Sequence, residues 1–177
     1  KIIDKKNEIL YVGGRGKYKN FKNFIKAFVS NEKIKKDFKI VCFGGGKFNL
    51  NEIDLFHEKK ISDKISYIDG NDIVLARLYK SSTCMIYPSL YEGFGLPVIE
   101  AMALGCPVVA GNCKPIMETA GDAALFFNPM DVEDISEKLE ACLNPNNTNI
   151  LIERGFQKIK NYKWKDCAKK TLSFYHE

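Results

Sequence analysis

Residues 87–108 read YPSLYEGFGLPVIEAMALGCPV. The stretch leaves an apolar strand, residues 84–88 (CMIYP), and crosses a loop holding Gly93 and Gly95. It then runs on as an apolar segment from Pro97 to Leu104 that Gly105 stops. Proline suits a first helical turn, where its missing N–H costs nothing, and glycine suits the position just past the end. The spacing therefore predicts strand, glycine loop and helix in succession, with the helix over residues 97–104. The first N–H groups of such a helix have no partner inside it, and the positive end of its dipole lies there, so its start is an anion site. Gly93 and Gly95 remove side chains that would keep an anion away.

Working outward, five further apolar bursts share the character of residues 84–88. They are residues 9–13 (ILYVG), 39–43 (KIVCF), 65–68 (ISYI), 107–110 (PVVA) and 124–127 (ALFF). Each is short, β-branched or aromatic, and ended by Gly, Pro or a polar turn. Continuous apolar runs, rather than alternation, suit a parallel sheet covered on both faces. Helical patterns lie between them. Phe21, Phe24, Ile25, Phe28 and Val29 form one stripe, with lysines opposite, and Leu75, Leu78 and Tyr79 form another. Asp131 is a suitable N-cap for residues 132–143, whose stripe is Ile135, Leu139, Cys142 and Leu143. Residues 163–176 read as a closing helix carrying Trp164, Leu172 and Tyr175, and residues 144–149 (NPNNTN) read as a loop. Strands alternating with helices give the fold class: α/β, a Rossmann-like doubly wound parallel sheet of about six strands. In such sheets a ligand sits outside the carboxyl ends of the strands.

Three loops at those ends carry the candidate chemistry. After the first strand come Gly13, Gly14, Arg15, Gly16 and Lys19. Arg15 offers a planar fork and Lys19 a compact charge, so the two can grip a diphosphate; the bland alternative is an ordinary surface turn. After the second strand come Gly44, Gly45 and Gly46, which serve either a tight turn or a close ligand approach; neither the P-loop ending nor G-x-G-x-x-G is present. In the third loop Glu92 lies before the glycines, and Glu100 lies one turn into the helix. Blandly, Glu100 gains from the dipole and Glu92 is solvated. A carboxylate beside a phosphate site nevertheless repels the phosphate unless it serves another part of the ligand, and carboxylates readily accept hydrogen bonds from paired hydroxyls. A diphosphate flanked by a ribose and a sugar, that is, a nucleoside diphosphate sugar, accounts for both carboxylates and the anion site together.

Composition bounds the rest. The chain of 177 residues is 45% hydrophobic, with 12 Phe and 8 Tyr, enough for one ordinary domain. No apolar run reaches the roughly 18 residues of a membrane span. Residues 1–7 are charged with no apolar segment after them, so no signal peptide is read; the absence of an initiator Met suggests a fragment, which leaves targeting signals open. The net charge of +5 comes from lysines spread along the chain, and the densest runs, residues 33–39 and 158–170, lack the aromatic interleaving of a nucleic-acid platform. No nucleic-acid partner is expected, while peripheral contact with an acidic membrane stays open. Six cysteines without C-x-x-C or Cys/His pairing read as small core residues in a reducing cytoplasm, and neither His57 nor His176 is given a role.

The segment Glu92-Gly-Phe-Gly-Leu-Pro-Val-Ile-Glu100-Ala-Met-Ala resembles the E-x7-E segment of retaining glycosyltransferases of family GT4, which have the GT-B fold. The resemblance extends along nearly the whole chain. Residues 9–20 (ILYVGGRGKYKN) are similar to the family's first strand and its R…K loop, and residues 39–46 to its second strand and glycines. Residues 70–79 (GNDIVLARLY) resemble the segment beside the nucleotide base, residues 118–124 (ETAGDAA) the E-x-x-G-D-A-A stretch, and residues 162–175 the closing helix.

The resemblance implies roles residue by residue. Arg15 and Lys19 hold the donor diphosphate, as does the backbone at Phe94, Gly95 and Leu96. Glu100 binds ribose hydroxyls, Glu92 binds the transferred sugar, and Gly70 and Asn71 lie near the base. Glu92, Arg15 and Lys19 are the catalytic candidates. It also implies that residues 1–177 are the nucleotide-sugar-binding C-terminal domain of a two-domain enzyme, whose N-terminal acceptor domain is absent. The chain alone is then expected to bind nucleotide weakly and turn over poorly or not at all. No cofactor and no metal are expected, D-x-D being absent. UDP-sugar is favoured over GDP-sugar as donor. The acceptor is expected to be a lipid-linked glycan or a surface polysaccharide such as lipopolysaccharide, which the Lys- and Asn-rich bacterial composition suits, with the enzyme in the cytoplasm or at the inner face of the plasma membrane. Two readings keep the fold and change the class: a GT-B-like nucleotide-sugar epimerase, and a non-catalytic nucleotide-sugar-binding module. A hydrolase using Glu92 and Glu100 as an acid/base pair is disfavoured by the phosphate-binding context.

Overall fold

Short strands that are apolar throughout need cover on both faces, and the structure, a computed structural model describing residues 5–175, supplies it. The strands are β1 (Lys6–Val12), β2 (Lys39–Phe43), β3 (Ile65–Ile68), β4 (Ser82–Tyr87), β5 (Val108–Gly111) and β6 (Ala124–Phe127). They form one six-stranded sheet in the order β3-β2-β1-β4-β5-β6, and every neighbouring pair is parallel. This is the Rossmann-like arrangement expected from the sequence, with each apolar burst on a strand.

Side chains alternate across a strand, so each strand feeds two cores. Ile9, Tyr11, Ile40, Cys42, Cys84, Ile86 and Val109 face one layer, which includes Phe21, Phe24 and Phe28 of α1 (Phe21–Ser30) and Ile135 and Leu139 of α7 (Val132–Leu143). Leu10, Val41, Met85 and Val108 face the other, built from α4 (Asp72–Ser81), α5 (Leu96–Ala103) and α6 (Lys114–Ala120). Asp131 caps α7 as expected, its carboxylate accepting from the N–H groups of Glu133 and Asp134. Four cysteines, Cys42, Cys84, Cys106 and Cys142, are buried; Cys113 is half-buried and Cys167 exposed. Burial pushes the Cys42 thiol up to about 12.

Two short helices, α2 (Glu32–Asp37) and α3 (Leu50–Glu58), lie around β2 and had no apolar stripe long enough to announce them. The expected loop at residues 144–149 is a helix. α8 (Pro145–Lys158) starts there because Asn144 is its N-cap, accepting from the Asn146 N–H, and Pro145 fills the first helical position. Thr148 Oγ1 and Asn147 Nδ2 donate to the Cys142 and Ala141 carbonyls at the end of α7. Asn144, Asn147 and Thr148, which read as loop residues, thus spend their side-chain polar atoms on helix ends. The closing helix α9 (Trp164–Tyr175) forms, with its last expected residue, His176, outside the described residues. Its stripe is not buried: Trp164, Leu172 and Tyr175 are 79%, 59% and 80% exposed. Among the described residues no helix is long and apolar enough to cross a membrane.

Candidate functional site

All strands point the same way, so the loops that follow them gather at one edge of the sheet. The chain runs outward from β1 to β3, returns to β4 beside β1, and runs outward again to β6. The crevice between the ends of β1 and β4 is therefore the topological switch point, where doubly wound sheets hold their ligands.

Lys19 and Glu92 meet across this crevice. Lys19 lies in a single 3-10 turn (Lys17–Lys19) after β1, Glu92 in the loop after β4, and Nζ stands 2.6 Å from Oε1. Both side chains are largely buried, and the ammonium stands 5.2 and 5.3 Å from the Tyr18 and Tyr87 ring centroids. A backbone bond from the Leu90 N–H to the Tyr18 carbonyl, 2.8 Å, ties the same two loops. The Tyr87 hydroxyl is pushed up by burial and by the Glu92 carboxylate beside it, so it stays protonated and available as a donor. Asn20, in the left-handed region at φ 55°, donates from Nδ2 to the Pro129 carbonyl at 2.6 Å and so braces the β1 loop against the loop after β6.

Arg15 is placed differently from its partner cation. Its Nε donates to Glu52 Oε1 at 2.7 Å, Nη1 to the Gly44 carbonyl at 3.2 Å, and Nη2 to the Gly46 and Lys47 carbonyls at 2.8 and 3.0 Å. Its guanidinium also lies over the Phe48 ring, 4.9 Å from the centroid, and the side chain is only 4% exposed. Of the five N–H groups an arginine carries, this leaves one on Nη1 uncommitted among the described residues. Arg15 pins the β1 loop to the β2 loop, and the two loops approach closely enough that a Cβ at Gly45 would stand 2.6 Å from the Gly13 carbonyl oxygen. Glu52 is held in turn by a capping box at the start of α3, its Oε2 accepting from the Asn49 N–H. The pattern Asn49-x-x-Glu52 is the sequence signal that would have found this residue.

The helix after β4 starts one residue earlier than expected, at Leu96, with Pro97 second. Gly95 is its cap at φ 85°, and the Val98 and Ile99 N–H groups return to the Gly95 carbonyl. The N–H groups of Phe94, Gly95 and Leu96 donate to no backbone acceptor among the described residues, so the helix start carries three unclaimed donors. The loop is braced from behind, where Thr119 Oγ1 donates to the Phe94 carbonyl at 2.8 Å. The Tyr162 hydroxyl donates to the Thr119 carbonyl, and the Phe94 ring meets the Tyr162 ring edge-on. Neither Thr119 nor Tyr162 stood out in the sequence as a support of this loop. A Cβ on Gly95 would overlap Ile116 Cδ1, and φ 85° is itself unfavourable for a side chain. Gly95→Ala is therefore expected to lose about 2–4 kcal/mol of stability through backbone strain and overpacking, measured by urea unfolding. A loss near zero would mean that the loop adapts and does not fix its amides in place.

Glu100 points its Oε2 at the Tyr79 hydroxyl, 3.1 Å away. Asn71 caps α4, its Oδ1 accepting from the Ile73 and Val74 N–H groups, and Gly70 precedes it with its N–H on Asp69 Oδ1. Among the described residues no group of three or more His, Cys, Asp and Glu is placed to hold a metal ion. The structure thus brings Lys19, Glu92 and the amides at residues 94–96 around the switch point, sets Glu100 on α5 against Tyr79, and turns Arg15 toward the β2 loop.

The sequence profile of the family described as "Glycosyl transferases group 1" matches residues 1–158. The chain is 38% identical over 112 residues to O-antigen chain mannosyltransferase B of Escherichia coli, covering 63% of this chain and 29% of that protein. It is 32% identical over 134 residues to O-antigen chain mannosyltransferase RfbU of Salmonella typhimurium, covering 72% and 36%. Among solved structures, sucrose-phosphate synthase from Thermosynechococcus elongatus superposes with a TM-score of 0.83 at 23% identity, over 98% of this chain and 45% of that one. A glycosyltransferase from Rickettsia africae superposes at 0.80 and 20% identity, over 96% and 48%. The chain spans about a third of the length of these curated relatives and under half of these solved chains. By sequence profile and by sheet order, it belongs to the glycosyl transferases group 1 (GT4) family, as one Rossmann-like domain of the GT-B fold.

Proposed function

We propose that this chain binds a nucleoside diphosphate sugar and supplies the donor half of the active site of a retaining glycosyltransferase, the acceptor being bound by a preceding N-terminal domain. The observation that carries this reading is the Lys19–Glu92 pair at the switch point, beside the three unclaimed amides that open α5. The amides and Lys19 suit a diphosphate. Glu92, freed from Lys19 when the phosphate takes its place, suits hydroxyls of the sugar, and Glu100 suits those of the ribose. Gly70 and Asn71 border the base. Charge builds on the diphosphate as the sugar leaves it, and Lys19 with the helix start stabilises that charge while the acceptor attacks from the same face. Arg15 contributes by fixing the β1 loop, with one N–H left for the phosphate.

The names of the relatives make mannose the first sugar to test, so GDP-mannose belongs beside the UDP-sugars in the donor panel. Transfer to a surface polysaccharide acceptor in the cytoplasm, at the membrane's inner face, completes the reading. Its test is calorimetry with UDP, GDP, ADP and their sugars, followed by transfer from labelled donor in the full-length enzyme. One nucleotide should bind, and Glu92→Gln should spare nucleoside diphosphate binding while transfer falls sharply. Binding of none, or release of a free epimer without acceptor product, would sink it.

A further inference from the structure

Glu100 is exposed on α5, and no hydrogen bond from α5 itself fixes its carboxylate among the described residues. What fixes it comes from another helix. Tyr79 lies on α4, is 1% exposed, and directs its hydroxyl to Glu100 Oε2 at 3.1 Å. No other hydrogen bond involves that hydroxyl among the described residues. Burial, and then the carboxylate beside it, raise the hydroxyl far above the usual tyrosine range. At neutral pH it is protonated and donates to Glu100. With Oε2 held by Tyr79, Oε1 has no hydrogen-bond partner among the described residues. A planar ring packed in the core at Leu78, Met85 and Val98's layer cannot swing away to release it.

We infer that Tyr79 is a positioning residue for ribose recognition: its buried hydroxyl holds Glu100 in the orientation that reads the paired ribose hydroxyls of the donor. This rests on the proposed donor site, and specifically on Glu100 facing the ribose. The arrangement also links two parts of the ligand. α4 carries Tyr79 near its end and Asn71 at its cap, so the helix that borders the base also sets the carboxylate that reads the ribose.

The test compares ribo- and deoxyribonucleotides in the full-length enzyme, using UDP with dUDP and GDP with dGDP, for the wild type, Tyr79→Phe and Glu100→Gln. Phenylalanine keeps the ring and its packing and removes only the hydroxyl. The wild type should prefer the ribonucleotide by at least about tenfold, the loss expected for one hydrogen bond to a charged group. Glu100→Gln should lose most of that preference, and Tyr79→Phe should lose a large part of it while deoxyribonucleotide affinity stays near the wild-type value. Thermal melting of each variant, read alongside, separates unfolding from recognition. A Tyr79→Phe protein that melts lower yet keeps the full preference, while Glu100→Gln loses it, would show a merely structural tyrosine and overturn the inference. An undiminished preference in Glu100→Gln would instead overturn the ribose assignment of Glu100, and the inference with it.

Discussion

Lys19→Ala is expected to lower kcat of the full-length enzyme by about 10²–10³, the cost, on the proposed reading, of removing one preorganised donor from a site where charge develops. Two losses add in this variant. On the proposed reading the diphosphate loses its cation, and Glu92, no longer neutralised at 2.6 Å, stays behind as a largely buried carboxylate that repels a phosphate. The second loss is separable. Combining Lys19→Ala with Glu92→Gln removes the stranded charge, so nucleoside diphosphate affinity in the double variant should recover part of what Lys19→Ala lost. Steady-state kinetics with calorimetry on the four proteins of the cycle measure both terms. An unchanged kcat in Lys19→Ala would remove Lys19 from the mechanism, and strictly additive affinities would mean that the pair is not a pair in solution.

Arg15→Ala should cost about 3 kcal/mol of folding stability, read from urea unfolding. That is the lower end for breaking a buried ion pair, because Glu52 keeps 13% of its side chain in solvent. The variant leaves the Glu52 carboxylate and the Gly44, Gly46 and Lys47 carbonyls without their shared donor. An arginine that only gripped phosphate would behave in the opposite way: its removal would weaken nucleotide binding and leave stability untouched. Lys in its place cannot satisfy the planar set of acceptors, so Arg15→Lys should recover little. Stability unchanged in Arg15→Ala would show that the guanidinium spends its time on solvent or ligand rather than on Glu52.

The contrast between the two cations shows where sequence reasoning stopped. The six strands were legible because each is a continuous apolar run with a hard stop, and α1 and α7 because a long stripe repeats along them. α3 was not, because its exposed Leu50 and Ile53 leave only Phe56 buried, too little for a stripe. Missing α3 meant missing Glu52, and missing Glu52 left Arg15 looking as open as Lys19. The segment at residues 144–149 failed for another reason: it has loop composition, yet Asn144, Asn147 and Thr148 spend their side-chain polar atoms on helix ends. Around Glu92 and Glu100 the loop, helix and glycines were readable, since local spacing sets them. Their partners Lys19 and Tyr79 come from 73 and 21 residues away, and only the sheet order and the packing of α4 on α5 decide such meetings.

The seam between β1 and β4 also has a history in time. β1, β2 and β3 all precede β4 in the chain, so β1, apolar on both faces, gains its second neighbour only when β4 registers Ile9 against Cys84. Closing that seam spans the widest sequence separation in the sheet, and pairings so distant are expected to form slowly. The crevice with Lys19 on one lip and Glu92 on the other is the end of that seam, so the proposed ligand site depends on the strand pairing that spans the longest stretch of chain.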